Sequence, residues 1–111
     1  MSRKIAVGVL EKAGNVILRC NGNSMRPLMA PGDALYIKKV DMSKLRVGDA
    51  VFCKVCANLQ VHKVSAIDKE RWQISNNKGF INGWVGASSI YGLCVQVEDR
   101  IIVSEEDLAK R

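Results

Sequence analysis

No run of apolar residues in this chain approaches the roughly 18 that a membrane-spanning helix needs. The longest one near the start, Ile5–Leu10, follows Arg3 and Lys4 as in a secretory leader, but charge returns at Glu11 and Lys12. A cytoplasmic protein without a membrane anchor is therefore expected. There is no dense basic tract either. The 17 basic residues outnumber the 11 acidic ones, for a net charge of +6, yet they are scattered as Lys38, Lys39, Lys44, Arg46, Lys54, Lys63 and Arg71 without aromatic residues between them. That pattern fits a solvated basic surface, and no nucleic-acid partner is expected. No internal repeat, low-complexity tract or linker occurs. Only about 15 residues precede the first strand-like segment, so no helix-turn-helix is expected, and a repressor-derived regulatory domain is the weaker option.

Helical periodicity is also scarce. What fills the 111 residues instead, 48% of them hydrophobic, is a series of short segments rich in β-branched residues. These are Val16–Cys20, Ala34–Val40, Ala50–Cys56, Gln60–Ile67, Arg71–Ser75, Ile90–Val97 and Ile101–Val103, separated by Gly, Asn, Asp or Pro. Strands at this spacing predict an all-β fold, a coiled antiparallel sheet or partly open barrel. Met25–Met29 could form one helical turn, interrupted by Pro27 and ended by Pro31-Gly32. Ser104–Arg111 carries a capping-box pattern, with Ser104 followed by Asp107, and predicts a short C-terminal helix. A single domain over 1–111 is expected: an N-terminal segment 1–15, a β core 16–97, and a C-terminal strand and helix 98–111.

Cys53-x-x-Cys56 has zinc-ligand spacing. Residues three apart on a strand face opposite ways, however, and Cys20 and Cys94 lie inside apolar runs. Zinc ligation and disulfides are the alternatives; buried free thiols are the expectation, with no metal and no cofactor.

Ser24 follows Gly22-Asn23 at the end of the first predicted strand, where a tight turn can expose its hydroxyl. A serine hydroxyl needs a base within hydrogen-bond reach to act as a nucleophile. The one histidine, His62, sits mid-strand in Gln60-Val61-His62-Lys63-Val64 and faces away from Val61 and Lys63. Each feature alone is unspecific: a lone strand histidine is more often structural than catalytic.

Together they resemble a known family. Gly22-Asn23-Ser24-Met25-Arg26-Pro27, continuing to Gly32-Asp33, resembles the nucleophile box of signal peptidases I, a Ser-Met-x-Pro core followed by Gly-Asp. The strand leading into it is similar to that of LexA-type self-cleaving repressors. Gly48-Asp49 followed by Ala50-Val51-Phe52 matches the family's next strand. Val61-His62-Lys63-Val64 falls where the family carries its general base, a lysine in bacterial signal peptidases and LexA-type proteins, a histidine followed by a basic residue in archaeal and endoplasmic-reticulum signal peptidases. Ser75–Val85 and Ser89-Ile90-Tyr91-Gly92 resemble the closing box. The likeness covers roughly Val16 to Val97 and is to the histidine branch.

The resemblance implies the sheet of the signal peptidase–LexA C-terminal domain type and a serine endopeptidase that cuts an extended peptide or protein substrate after a small residue. Ser24 would be the nucleophile and His62 the base, with Lys63 as an alternative only after a one-residue slip of the strand. The Ser24 N–H would hold the oxyanion. Asn23, Met25 and Pro27 are the expected substrate-contacting residues. Where the histidine branch usually has aspartates, this chain has Asn76 and Asn82. Asn82 is the better candidate to orient the His62 ring and Asn76 the second, and either could instead be a turn residue. An asparagine orients without adding negative charge, so a peptidase-like fold acting as a binding or assembly module is the alternative function. Self-cleavage at Ala13-Gly14 is disfavoured, because the chain between that pair and Ser24 must itself form the strand leading to the nucleophile.

Overall fold

The computed structural model describes all 111 residues. Eight strands form one antiparallel sheet: β1 (Asn15–Arg19), β2 (Ala34–Lys38), β3 (Ala50–Val55), β4 (Asn58–Asp68), β5 (Arg71–Ser75), β6 (Ile81–Gly86), β7 (Ile90–Val97) and β8 (Arg100–Ile101). Their order across the sheet is β1-β2-β7-β3-β4-β5-β6, with β8 paired to β7. A helix stands at each end of the chain, α1 (Arg3–Ala13) and α2 (Glu105–Lys110). The all-β class and the short C-terminal helix agree with the sequence analysis, and no helix is long and apolar enough to cross a membrane.

β3 and β7 lie at the centre and are buried on both faces. Ala50 and Phe52 of β3 join one apolar cluster, while Val51, Cys53 and Val55 join the other, on the opposite side. That is why Ala50–Val55 reads as a nearly unbroken apolar run rather than an alternation. β1, covered on one face only, alternates between exposed and buried. Fully buried side chains such as Leu35, Phe52 and Leu93 each contribute about 1.5–3 kcal/mol by leaving water.

Two elements differ from expectation. The N-terminal segment is a helix, bounded by Ser2, whose hydroxyl accepts from Ile5 N–H, and by Gly14 at φ 82°, whose N–H bonds to Leu10 O. Ala6 and Leu10, one turn apart, bury its inner face. Gly92 on β7 admits this contact, since a Cβ there would lie 2.8 Å from Ile37, 2.9 Å from the Lys38 carbonyl and 3.0 Å from Leu10. The second is β6, within the expected closing loop. Gly83 and Gly86 dilute its apolar pattern, and its pairing with β5 defines it as a strand. The expected helical turn at Met25–Met29 is a series of tight turns instead.

The cysteines are all free; Cys20, Cys53 and Cys94 are buried, but Cys56 is exposed in the β3–β4 turn. Burial pushes the thiols of Cys53 and Cys94 up to about 12, so both stay protonated and serve as small apolar side chains.

Candidate active site

Ser24 is carried by the excursion between β1 and β2. Two backbone bonds close its base, Cys20 N–H to Asp33 O at 2.8 Å and Gly32 N–H to Cys20 O at 2.9 Å. Gly22 (φ 72°) and Gly32 (φ 87°) supply the left-handed conformations at its two ends. Buried Met25 and Met29 anchor it in the core. Asp33, of the Gly-Asp pair that ends the nucleophile-box likeness, accepts from Ala30 N–H at 2.9 Å and shapes the exit.

His62 is carried by β4, which runs alongside β3 from Asn58 to Lys63 and alongside β5 only from Lys63 onward. His62 is thus the last residue before β5 joins, and the outer edge of β4 from Asn58 to His62 has no strand beside it. The Ser24 turn comes up to that open edge. Ser24 Oγ lies 3.0 Å from His62 Nε2, within reach for proton transfer.

The other ring nitrogen, Nδ1, lies 2.8 Å from Asn82 Oδ1. A carboxamide oxygen only accepts, so Nδ1 carries the proton and Nε2 presents its lone pair to the serine hydroxyl. Asn82 reaches the ring because of a β-bulge: Ile74 pairs with Gly83 and Ser75 with Ile81, so Asn82 is the extra residue. A bulge re-aims its side chain, and Gly83 at φ 147° supports the local backbone.

His62 is buried, and burial holds its pKa below the ordinary value of 6.5; the Asn82 hydrogen bond opposes that shift and the Arg3 cation adds to it. The ring is therefore neutral at pH 7, the state in which a histidine accepts a proton.

Asn76 does not reach the histidine. Its Oδ1 accepts from Lys78 N–H at 2.8 Å and Phe80 N–H at 3.0 Å, closing the β5–β6 turn. Its neighbour Asn77, which the sequence analysis did not single out, ties that turn to the serine. Asn77 N–H donates to Ser24 O at 2.9 Å and Asn77 Nδ2 to Met25 O at 3.0 Å.

A cleft of about 200 Å³ opens beside Ser24 and His62, walled by Cys20, Met25, Met29, Leu35 and Val61, with Arg3 reaching in from α1. Of the expected substrate-contacting residues only Met25 lines it. Asn23 is turned to Arg26, whose Nε donates to its Oδ1 at 2.6 Å, and Pro27 lies exposed on the outside of the turn. Ala13-Gly14 is the capped end of α1, a bonded conformation unlike an extended scissile segment. The chain matches no protein-family model, no curated protein and no solved structure.

Proposed function

We propose that this protein is a serine endopeptidase in which Ser24 attacks, His62 is the general base and Asn82 positions the ring. The observation that carries the reading is the relay of two short hydrogen bonds, Ser24 Oγ to His62 Nε2 at 3.0 Å and His62 Nδ1 to Asn82 Oδ1 at 2.8 Å. As Ser24 Oγ attacks a peptide carbonyl, its proton passes to His62 Nε2. The carbonyl oxygen becomes an oxyanion, for which the Ser24 N–H, bonded to nothing in the protein, is a donor. The tetrahedral intermediate collapses to an acyl-enzyme while His62 returns the proton to the leaving amine. Water, deprotonated by the same ring, then releases the acyl group.

Asn82 fixes the ring but offers no carboxylate to stabilise the imidazolium, so turnover is expected to be slow. The resemblance to the histidine branch of the signal peptidases adds a small residue, such as alanine, before the scissile bond. The free edges of β1 and β4 beside the cleft suit an extended peptide.

A peptide library with a fixed alanine, digested by wild type, Ser24→Ala and His62→Ala and read by mass spectrometry, tests the proposal. Cleavage after alanine by wild type alone supports it; identical digestion by Ser24→Ala overturns it. The neutral orienter favours one other reading, a module that holds an extended peptide without cutting it. That reading gains if wild type and Ser24→Ala bind the library equally and neither cleaves.

A further inference from the structure

Arg3 lies outside the relay and outside every sequence motif, yet its side chain spans the open gap beside the nucleophile. Nη1 donates to Leu59 O on the free edge of β4 at 3.1 Å, and Nη2 to Arg19 O at the end of β1 at 3.2 Å. These bonds hold the guanidinium between the two banks of the cleft. A guanidinium has five N–H donors; the others meet no acceptor in the protein. No carboxylate pairs with it either: the three ion pairs of the molecule are Lys110–Glu106, Arg111–Asp49 and Arg111–Asp107. Arg3 is the only arginine, lysine, aspartate or glutamate lining the cleft. It is half-buried, and that burial lowers its pKa; the Cys20 thiol beside it opposes the shift, but no carboxylate does. A desolvated cation without a counter-ion costs stability. A carboxylate supplies what it lacks, because the planar fork matches carboxylate geometry.

We infer that Arg3 sets the specificity of the cleft: the peptide bound beside Ser24 carries a glutamate or aspartate whose carboxylate pairs with the Arg3 guanidinium. Met25, Met29 and Leu35 provide apolar wall for the methylene stem. The inference rests on the peptidase reading for the chemistry that follows binding, and it deepens that reading by naming the substrate class. It is compatible with a small residue at the scissile bond. In an extended chain every second side chain shares a face, so a small residue can sit at Ser24 while an acid two positions away enters the same cleft. The net charge of +6 favours encounter with acidic peptides.

The test uses the whole protein and synthetic decapeptides built around one alanine, with Glu, Gln or Lys scanned through the flanking positions. At one position wild type should cleave the Glu peptide with a kcat/KM about tenfold or more above its Gln counterpart. That ratio should fall to about one in Arg3→Gln, and Arg3→Glu should prefer the Lys peptide. Binding of the same peptides to Ser24→Ala, followed by fluorescence anisotropy, should show the same Glu-over-Gln order without turnover. The Glu–Gln comparison in protein with Arg3 intact holds even where an Arg3 variant fails to fold. Cleavage with no Glu preference at any position overturns this inference and leaves the peptidase reading standing. Glu-selective binding without cleavage supports the inference and removes the peptidase reading. Two other results overturn the inference: no peptide bound by Ser24→Ala, or Arg3→Gln accelerating every peptide alike, which would make Arg3 a strap across the groove.

Discussion

The half of the molecule that delivers Ser24 is built differently from the half that delivers His62 and Asn82. Ser24 arrives on an irregular excursion closed by two backbone bonds at its base, pinned by two buried methionines and tied across by Asn77. His62 and Asn82 arrive on β4 and β6, each paired in the sheet, with bulges at Asn82 and at Ser65 as the irregularities nearest the ring. The 3.0 Å separation between Ser24 Oγ and His62 Nε2 therefore depends on few contacts from the loop side and many from the sheet side. Small losses on the loop side should reach the reacting atoms; comparable losses on the sheet side should cost stability first.

The largest effect should come from the pair itself, where the two halves act as one unit. Ser24→Ala and His62→Ala should each lower kcat by roughly 10³-fold or more, and the double variant should lose little beyond either single one. Additive losses in the three peptidase assays would mean that the residues do not work together.

Truncating an anchor in each half comes next. Met29→Ala, under the serine loop, and Ile74→Ala, in the sheet, both remove fully buried side chains. Each should cost about 2–5 kcal/mol in urea unfolding. At equal folded fraction, only Met29→Ala should also reduce kcat. Equal kcat losses would erase the contrast between loop and sheet.

Asn77→Ala removes the side-chain bond to Met25 O while keeping the backbone bond to Ser24 O. An expected loss of about 1–2 kcal/mol should appear as faster hydrogen exchange through residues 21–31 and a lower kcat. Asn76→Ala, which only opens the β5–β6 turn, serves as the comparison and should leave those amides slower to exchange than Asn77→Ala does.

Asn82→Asp should give the smallest change and sharpen the sheet side alone. A carboxylate against Nδ1 stabilises the imidazolium, so the midpoint of the pH–activity profile should move upward from its wild-type position. An unchanged midpoint would place Asn82 off the relay in solution.

The same contrast explains what the sequence made legible. The ladder strands announce themselves through β-branched residues and turn punctuation. Strand alternation together with motif order points to His62, and the Gly-Asn-Ser-Met-x-Pro setting points to Ser24. β6 is hidden in the sequence because Gly83 and Gly86, which the bulge and its strand end use, also look like loop. α1 escaped because only Ala6 and Leu10 are fully buried along it, although Ser2 and Gly14 were available as cap signals. Choosing Asn82 over Asn76 was possible from the closing-box likeness. Asn77 and Arg3 are not within reach, since they act on backbone carbonyls remote in sequence, 52 residues away for Asn77 and 56 and 16 for Arg3, and such bonds leave no local pattern.

The central claim, that a neutral His62 activates Ser24, is tested most directly by the rate at which a fluorophosphonate labels the protein as pH is raised through the histidine range. Burial and Arg3 hold the His62 pKa below 6.5. A base with such a pKa is protonated and inert in acid and becomes competent as pH rises through that lowered value. The account predicts one adduct, located on Ser24 by peptide mass mapping, with a rate that climbs to a plateau at a midpoint below 6.5 and is lost in His62→Ala. Labelling of Ser24 at an undiminished rate in His62→Ala, or a midpoint well above 6.5 in wild type, would contradict it.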